Sequence, residues 1–244
     1  MYELFKRIGG FLLPKKIIKK HERFFRSLIA LKYSGSKYEC NICEFKMRNF
    51  PPSEGVNTIC PQCGSLSRTR KLWSLIQNEV SNKSILHFSP PRSIAKKLKT
   101  ISKSKYITSD FEGEFEADEN FNIENIDAPS NSFDLVICYH VLEHIENDQK
   151  AISELFRILK RGGQCFIQTP FKTGETFEDK NAKTPEERLK VYGQKNHVRI
   201  YSVTDLKDRL DKEGFNTQIL SFKEEQDNKY GFKLNEIILI AKKE

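Results

Sequence analysis

The chain of 244 residues is long enough for one full α/β domain and a small appendage, but not for two large domains. Its 38% hydrophobic and 30% charged residues exclude a disordered chain; its apolar runs stop well short of the ~18–20 residues of a membrane span, and no signal peptide is legible, so the cytoplasm or the inner face of the membrane is the expected location. The net charge of +8 is local, because residues 1–37 hold ten Lys or Arg against two Glu and the remainder is formally neutral, which excludes calling the whole protein a nucleic-acid binder from its charge.

Residues 1–37 form the first segment. In KKIIKKHERFFRSLIALK, residues 15–32, the side chains of Ile17, Ile18, His21, Phe24, Phe25, Leu28 and Ile29 recur at helical spacing, and Lys and Arg fill much of the rest. Pro14 stands where a first-turn proline is tolerated. This predicts a basic amphipathic helix with two readings. It lies on an anionic membrane surface or a nucleic acid, or it docks on its own domain with its lysines in water.

Residues 38–70 carry Cys40, Cys43, Cys60 and Cys63, two C-x2-C pairs with 16 residues between them. That spacing brings four thiolates around one tetrahedral Zn²⁺ and leaves no open coordination position, so the metal is expected to be structural. The intervening loop has too few apolar residues for a core, so some crosslink must hold it. Two disulfides or an iron–sulfur centre are the competing readings. The knuckle either clamps the N-terminal helix or presents Lys46, Arg48, Arg68 and Arg70 to an anionic partner such as RNA. Cys138 and Cys165 lie in apolar runs and read as buried small hydrophobes.

From residue 71 to residue 244 short apolar strands alternate with helical patterns. Helices are predicted at about 70–79, 93–98, 148–159 and 203–213, and strands at 84–89, 106–110, 133–140, 164–170, 216–222 and 236–243. Gly162 and Gly163 are expected to stop the third of these helices. Strand, crossover helix and parallel strand imply a mostly parallel sheet, and the short polar link between the last two strands implies an antiparallel hairpin. Ligands of such sheets bind beyond the carboxyl ends of the strands, where Ser89, Asp110, His140 and Thr169 fall. Residues 171–200 form a long polar excursion, in which Thr184 and Glu187 are spaced as a capping box.

The run Asn131-Ser132-Phe133-Asp134-Leu135-Val136 through Val141-Leu142-Glu143-His144, followed by Leu159-Lys160-Arg161-Gly162-Gly163, resembles class I S-adenosylmethionine-dependent methyltransferases of the ubiquinone-biosynthesis-like, type 11 group. The resemblance covers residues 84–244. It implies a Rossmann-like, mostly parallel seven-stranded sheet with an antiparallel last strand, preceded here by the small zinc-binding module. It also implies a cofactor site. His87, Ser89 and Pro90 stand at the first turn, which in the family is rich in glycine and here has none. Asp110 matches the acid that accepts from the ribose hydroxyls, Asn122 and Ile123 match the adenine region, and Tyr139 and His140 match the methionine end.

Methyl transfer needs a nucleophile aligned behind the methyl, and often a base. His140 is the first candidate for that base. His197 and Arg199, in YGQKNHVRIYS, are candidates for a second base and an anion clamp, or for fixing the loop. His140 and His144 are also spaced to share a metal, but the sequence shows no third ligand. The expected function is methylation of a small molecule, a lipid-linked precursor or a sugar hydroxyl. The alternatives are an RNA methyltransferase that grips nucleic acid through the knuckle, and a non-catalytic binding protein with a degenerate cofactor site.

Overall fold

The computed structural model describes residues 21–51, 58–222 and 228–244, so the Lys- and Ile-rich stretch at 15–20 lies outside it. The chain divides into two compact units. The first holds the described residues up to Ile76 together with 228–233, and the second holds Gln77 to 222 with Leu234–Glu244.

In the first unit, helix α1 (Glu22–Leu31) leads into an antiparallel pair, β1 (Ser34–Glu39) and β2 (Lys46–Met47), and helix α2 (Ser67–Ile76) follows the second cysteine pair. The two cysteine turns are built alike. The Cys40 N–H donates to Phe45 O and the Glu44 N–H to Cys40 O; the Cys60 N–H donates to Ser65 O and the Gly64 N–H to Cys60 O, all at 2.7–3.0 Å. Both turns need a left-handed residue at the same place, supplied by Glu44 (φ 63°) and Gly64 (φ 75°). Arg70 is fully buried behind them. It donates to Ser65 O at 2.6 Å, Tyr230 O at 2.6 Å and Gly231 O at 2.9 Å, and lies over the Phe50 ring. A guanidinium held this way fixes the module and is not available to grip phosphate.

The second unit is a six-stranded sheet of order β4-β3-β5-β6-β8-β7, made of β3 (Ile85–Phe88), β4 (Tyr106–Ser109), β5 (Phe133–Tyr139), β6 (Leu159–Gln168), β7 (Phe215–Ser221) and β8 (Ile237–Lys243). The first four are parallel, and β8 runs antiparallel to both β6 and β7, as the hairpin reading expects. Helices α3 (Arg92–Ile101), α4 (Asp148–Ile158) and α6 (Val203–Glu213) connect strands, and α5 (Pro185–Tyr192) lies in the polar excursion. Every residue of β3, and all of β5 except Asp134, is buried, because a central parallel strand is covered on both faces. Alternate residues Leu86, Phe88, Val136 and Cys138 join Ile152 and Leu155 of α4 and Leu206 and Leu210 of α6 in one apolar cluster.

Two expectations are corrected. The described residues hold six strands in this sheet, not seven. Beyond β4 the chain pairs with it only through a parallel bridge at Ser109 and Glu119; in FEGEFEADEN Phe111, Phe115 and Ala117 alternate with acids, but the left-handed Gly113 (φ 72°) between them breaks the extended run from which an edge strand could be built. Secondly, Gly162 and Gly163 do not end α4. The helix ends at Ile158, and both glycines lie inside β6, at a shift of register where Phe133 pairs with Leu159 and Leu135 with Gln164. A Cβ on Gly163 would sit 2.8 Å from Lys160 O and 3.2 Å from Phe133 O, so the bulge requires glycine there.

Candidate active site and cysteine cluster

The carboxyl ends of β3, β4, β5 and β6 place Ser89, Asp110, His140 and Thr169 in one row. Ser89 donates its N–H to Ser109 O and His140 its N–H to Gln168 O, each at 2.8 Å, so each turn is anchored to the neighbouring strand. Both residues are left-handed, Ser89 at φ 46° and His140 at φ 54°. Ser89 thus makes the sharp first turn without glycine, and Pro91 then precedes α3 with φ −58°. Left-handed non-glycine residues cluster where structure is held for function.

The row carries buried polar atoms without partners: Tyr139 Oη, His140 Nε2, Gln168 Oε1 and Thr169 Oγ1. Such atoms are rare in native proteins and cost about 1–3 kcal/mol each when unsatisfied. The buried Asp110 accepts the Phe115 N–H at Oδ2, 3.0 Å. Asn122 is exposed and caps its own turn by accepting the Glu124 N–H, whereas Ile123 is 4% exposed and belongs to the main apolar cluster. His87 is enclosed in β3, with Nδ1 3.1 Å from Tyr106 Oη, and burial pushes its pKa down to about 3.

His140 Nδ1 lies 3.1 Å from Glu143 Oε1. Glu143 is 1% exposed and sits on a 3-10 turn, Leu142–His144, immediately after β5. Burial pushes its carboxyl up, but the hydrogen bond and charge of His140 outweigh this and hold it below the usual carboxylate range. The sequence reading missed Glu143. The signal was present in the Leu-Glu-His triplet, but only the 3-10 turn brings the carboxylate back under His140.

The polar excursion is stitched onto the same turn. The Val198 N–H donates to Glu143 O at 2.9 Å, and His144 Nδ1 lies 3.1 Å from Asn196 O. His144 and His197 meet edge to face, with centroids 4.8 Å apart. His197 is buried, and burial followed by the nearby His144 lowers its pKa. Arg199 turns its guanidinium away from solvent onto Leu142 O, Ile145 O and Glu146 O, with Nε on Glu178 at 2.9 Å. It clamps the turn. Tyr201 is fully buried and donates to Asp148 Oδ2 at 2.6 Å, which secures the start of α4.

In the first unit, Cys40 and Cys63 Sγ lie 3.6 Å apart, and Cys43 and Cys60 Sγ 3.7 Å apart. A tetrahedron with Zn–S bonds of ~2.3 Å has edges of ~3.8 Å. All four Sγ atoms lie within 4.8 Å of one another, and none of the cysteines is in a disulfide.

A Rossmann-like α/β sheet with the reversed strand β8 between β6 and β7 is the class I S-adenosylmethionine-dependent methyltransferase fold. The chain belongs to the methyltransferase-domain family, which it matches over residues 69–219. It is 34% identical over 131 residues to the mitochondrial ubiquinone biosynthesis O-methyltransferase of Dictyostelium discoideum, a match covering 50% of this chain and 37% of that protein. It is 29% identical over 97 residues to a probable S-adenosylmethionine-dependent methyltransferase of Mycolicibacterium smegmatis, covering 40% and 34%. The matched segments thus span about a third of each relative. Among solved structures, a methyltransferase from Mesorhizobium loti superposes with a TM-score of 0.52 at 12% identity over 72% of this chain and 96% of that one. One from Archaeoglobus fulgidus gives 0.51 at 18% identity over 71% and 91%. These two likenesses concern the fold alone.

Proposed function

We propose that the protein is an S-adenosylmethionine-dependent methyltransferase acting on a hydroxyl of a small molecule, a lipid-linked precursor or a sugar. The observation that carries this reading is the row of unpartnered polar atoms on Tyr139, His140, Gln168 and Thr169, which a polar ligand would complete. Ser89, Pro90, Asp110, Asn122, Ile123, Tyr139 and His140 form the cofactor site, with His87 behind its first turn. Asp110 retains carboxylate lone pairs for a ribose diol, and the left-handed Ser89 gives the turn the shape that glycine gives elsewhere. When bound, the cofactor supplies an electrophilic methyl on a sulfonium sulfur.

His140 is the base. An ionised Glu143 only accepts hydrogen bonds, so the ring proton of His140 resides on Nδ1 and Nε2 offers its lone pair. Glu143 fixes this tautomer, and Nε2 takes the proton from the acceptor hydroxyl. Arg199 serves by holding the turn, and residues 171–200 cover the acceptor. The Dictyostelium relative is an O-methyltransferase by name, which supports an oxygen acceptor. Residues 38–70 bind one structural Zn²⁺ through Cys40, Cys43, Cys60 and Cys63, which tie two otherwise core-poor turns together. Helix α1 exposes Phe24, Leu28 and Leu31, at spacings of four and three, and the sequence around it, 15–32, is rich in Lys and Arg. That pairing supports peripheral contact with an anionic membrane surface, on the cytoplasmic side.

The test is transfer of a tritiated methyl group from S-adenosylmethionine into fractions of the source cell. Label should enter the organic-soluble or small-metabolite fraction and fall ~10²–10⁴-fold with His140→Ala. Label confined to RNA would replace this reading by the RNA methyltransferase, and no label in any fraction would favour a non-catalytic binding protein.

A further inference from the structure

The turn after β5 and the polar excursion bring together three ligating groups, of which the methyl-transfer chemistry uses only Oε1 of Glu143. One carboxylate oxygen of Glu143 and one ring nitrogen each of His144 and His197 lie within 4.8 Å of one another. Two are contributed by the 3-10 turn and the third arrives from 53 residues away, so the cluster exists only because the backbone of 196–199 is laced to the turn. Three features mark it as built to hold a cation. Glu143 is 1% exposed, and its Oε2 has no partner while Oε1 is occupied by His140. His144 Nδ1 lies 3.1 Å from the Asn196 carbonyl, which fixes that nitrogen as the donor and leaves Nε2 as the electron pair. Arg199 holds the carbonyls of Leu142, Ile145 and Glu146, so the turn that carries Glu143 and His144 is rigid before any ion arrives.

We propose that Glu143, His144 and His197 form a divalent metal site, distinct from the four-cysteine cluster, that takes a d-block ion such as Zn²⁺, Mn²⁺ or Fe²⁺. Two imidazoles and one carboxylate are the donor set such ions take when positions are left open for oxygen ligands. The all-thiolate cluster, by contrast, is closed. The sequence alone pointed to His140 with His144 and found no third ligand; the fold replaces His140 by Glu143 and His197. This site does not depend on the methyltransferase reading, because ion binding is measured without cofactor or acceptor.

The experiment is metal analysis and Co²⁺ titration of the full-length protein. Wild-type chain saturated with metal should hold two equivalents. With the cysteines already filled by zinc, the added Co²⁺ should show ligand-field bands without thiolate-to-metal charge transfer. His197→Gln and His144→Gln should each weaken the second equivalent at least ~100-fold, and Cys43→Ser should leave it in place. A wild-type protein that binds one equivalent only, or a second equivalent with thiolate charge transfer, overturns the proposal whether or not the variants fold. A second equivalent unchanged in folded His197→Gln overturns it as well.

Discussion

Asp134 is held by three donors on its Oδ2: the Ser84 N–H at 2.8 Å, the Ser84 hydroxyl at 2.6 Å and the Lys160 ammonium at 2.8 Å. Partial burial pushes its carboxyl up, but Lys160 and Ser84 outweigh that and lower its pKa. A carboxylate whose folded pKa is depressed contributes stability above its unfolded value of about 3.9, and loses it as pH falls through the folded value. Asp134→Asn is therefore expected to lower the melting temperature at pH 7. The gap to wild type should close as the pH drops below ~3.9. Thermal melts of both proteins from pH 7 downward check this, and a gap that stays constant into acid would show that the ionised form is not what matters. At this scale the sequence was informative where chemistry is local: Asp110 and His140 directly follow β4 and β5, the strands read from their apolar runs, and the four cysteine sulfurs lie together as two C-x2-C pairs imply. The role of Arg199 was not legible, because a guanidinium that holds backbone carbonyls and one that faces an anion look alike until its partners are known.

Among the elements, α6 runs Val203–Glu213 between Ser202, whose hydroxyl accepts the Asp205 N–H, and the left-handed Gly214. Helix α5 starts with the full capping box of Thr184 and Glu187. Both were readable because caps and stops are written in adjacent residues. The bulge at Gly162 and Gly163 was not, since a glycine pair after an amphipathic run looks the same whether it ends a helix or lets a strand bend around Asp134. The turn at 142–147 belongs to this scale too. Removing its clamp with Arg199→Ala takes a donor from the carbonyls of Leu142, Ile145 and Glu146; Leu142 O keeps the Ile145 N–H, and the cost is about 1–3 kcal/mol for any carbonyl left buried and unsatisfied. Hydrogen exchange should show lost protection across 142–147 and 196–201, with the central strands β3 and β5 unchanged. Undiminished protection in the turn would mean the clamp is redundant.

For the whole molecule, the two units are held by different means. The second has its apolar cluster drawn wholly from its own residues, in strands, helices and the loop at Ile123 and Ile126. The first has helices α1 and α2, a two-stranded pair, the two cysteine turns and the buried Arg70; its buried apolar residues are mainly Ala30, Ile42, Met47, Leu72, Trp73 and Ile76, and the cysteine turns themselves bring few of these. Stripping metal from the full chain with a strong chelator is expected to abolish hydrogen-exchange protection at Cys40, Gly64 and their neighbours while the sheet of the second unit stays protected. Protection that survives metal removal in the first unit would dissociate that fold from the cluster. Among the described residues no helix is long and apolar enough to cross a membrane.

The central claim is that a class I fold whose first turn has no glycine still holds S-adenosylmethionine at the ends of β3, β4 and β5. Calorimetric titration of the full-length, zinc-replete chain with S-adenosylhomocysteine tests it most directly. Binding in the micromolar range is expected, weakened ~10–100-fold by Asp110→Ala through the loss of charge-assisted hydrogen bonds to the ribose. A folded wild-type protein that binds neither S-adenosylhomocysteine nor S-adenosylmethionine would contradict it.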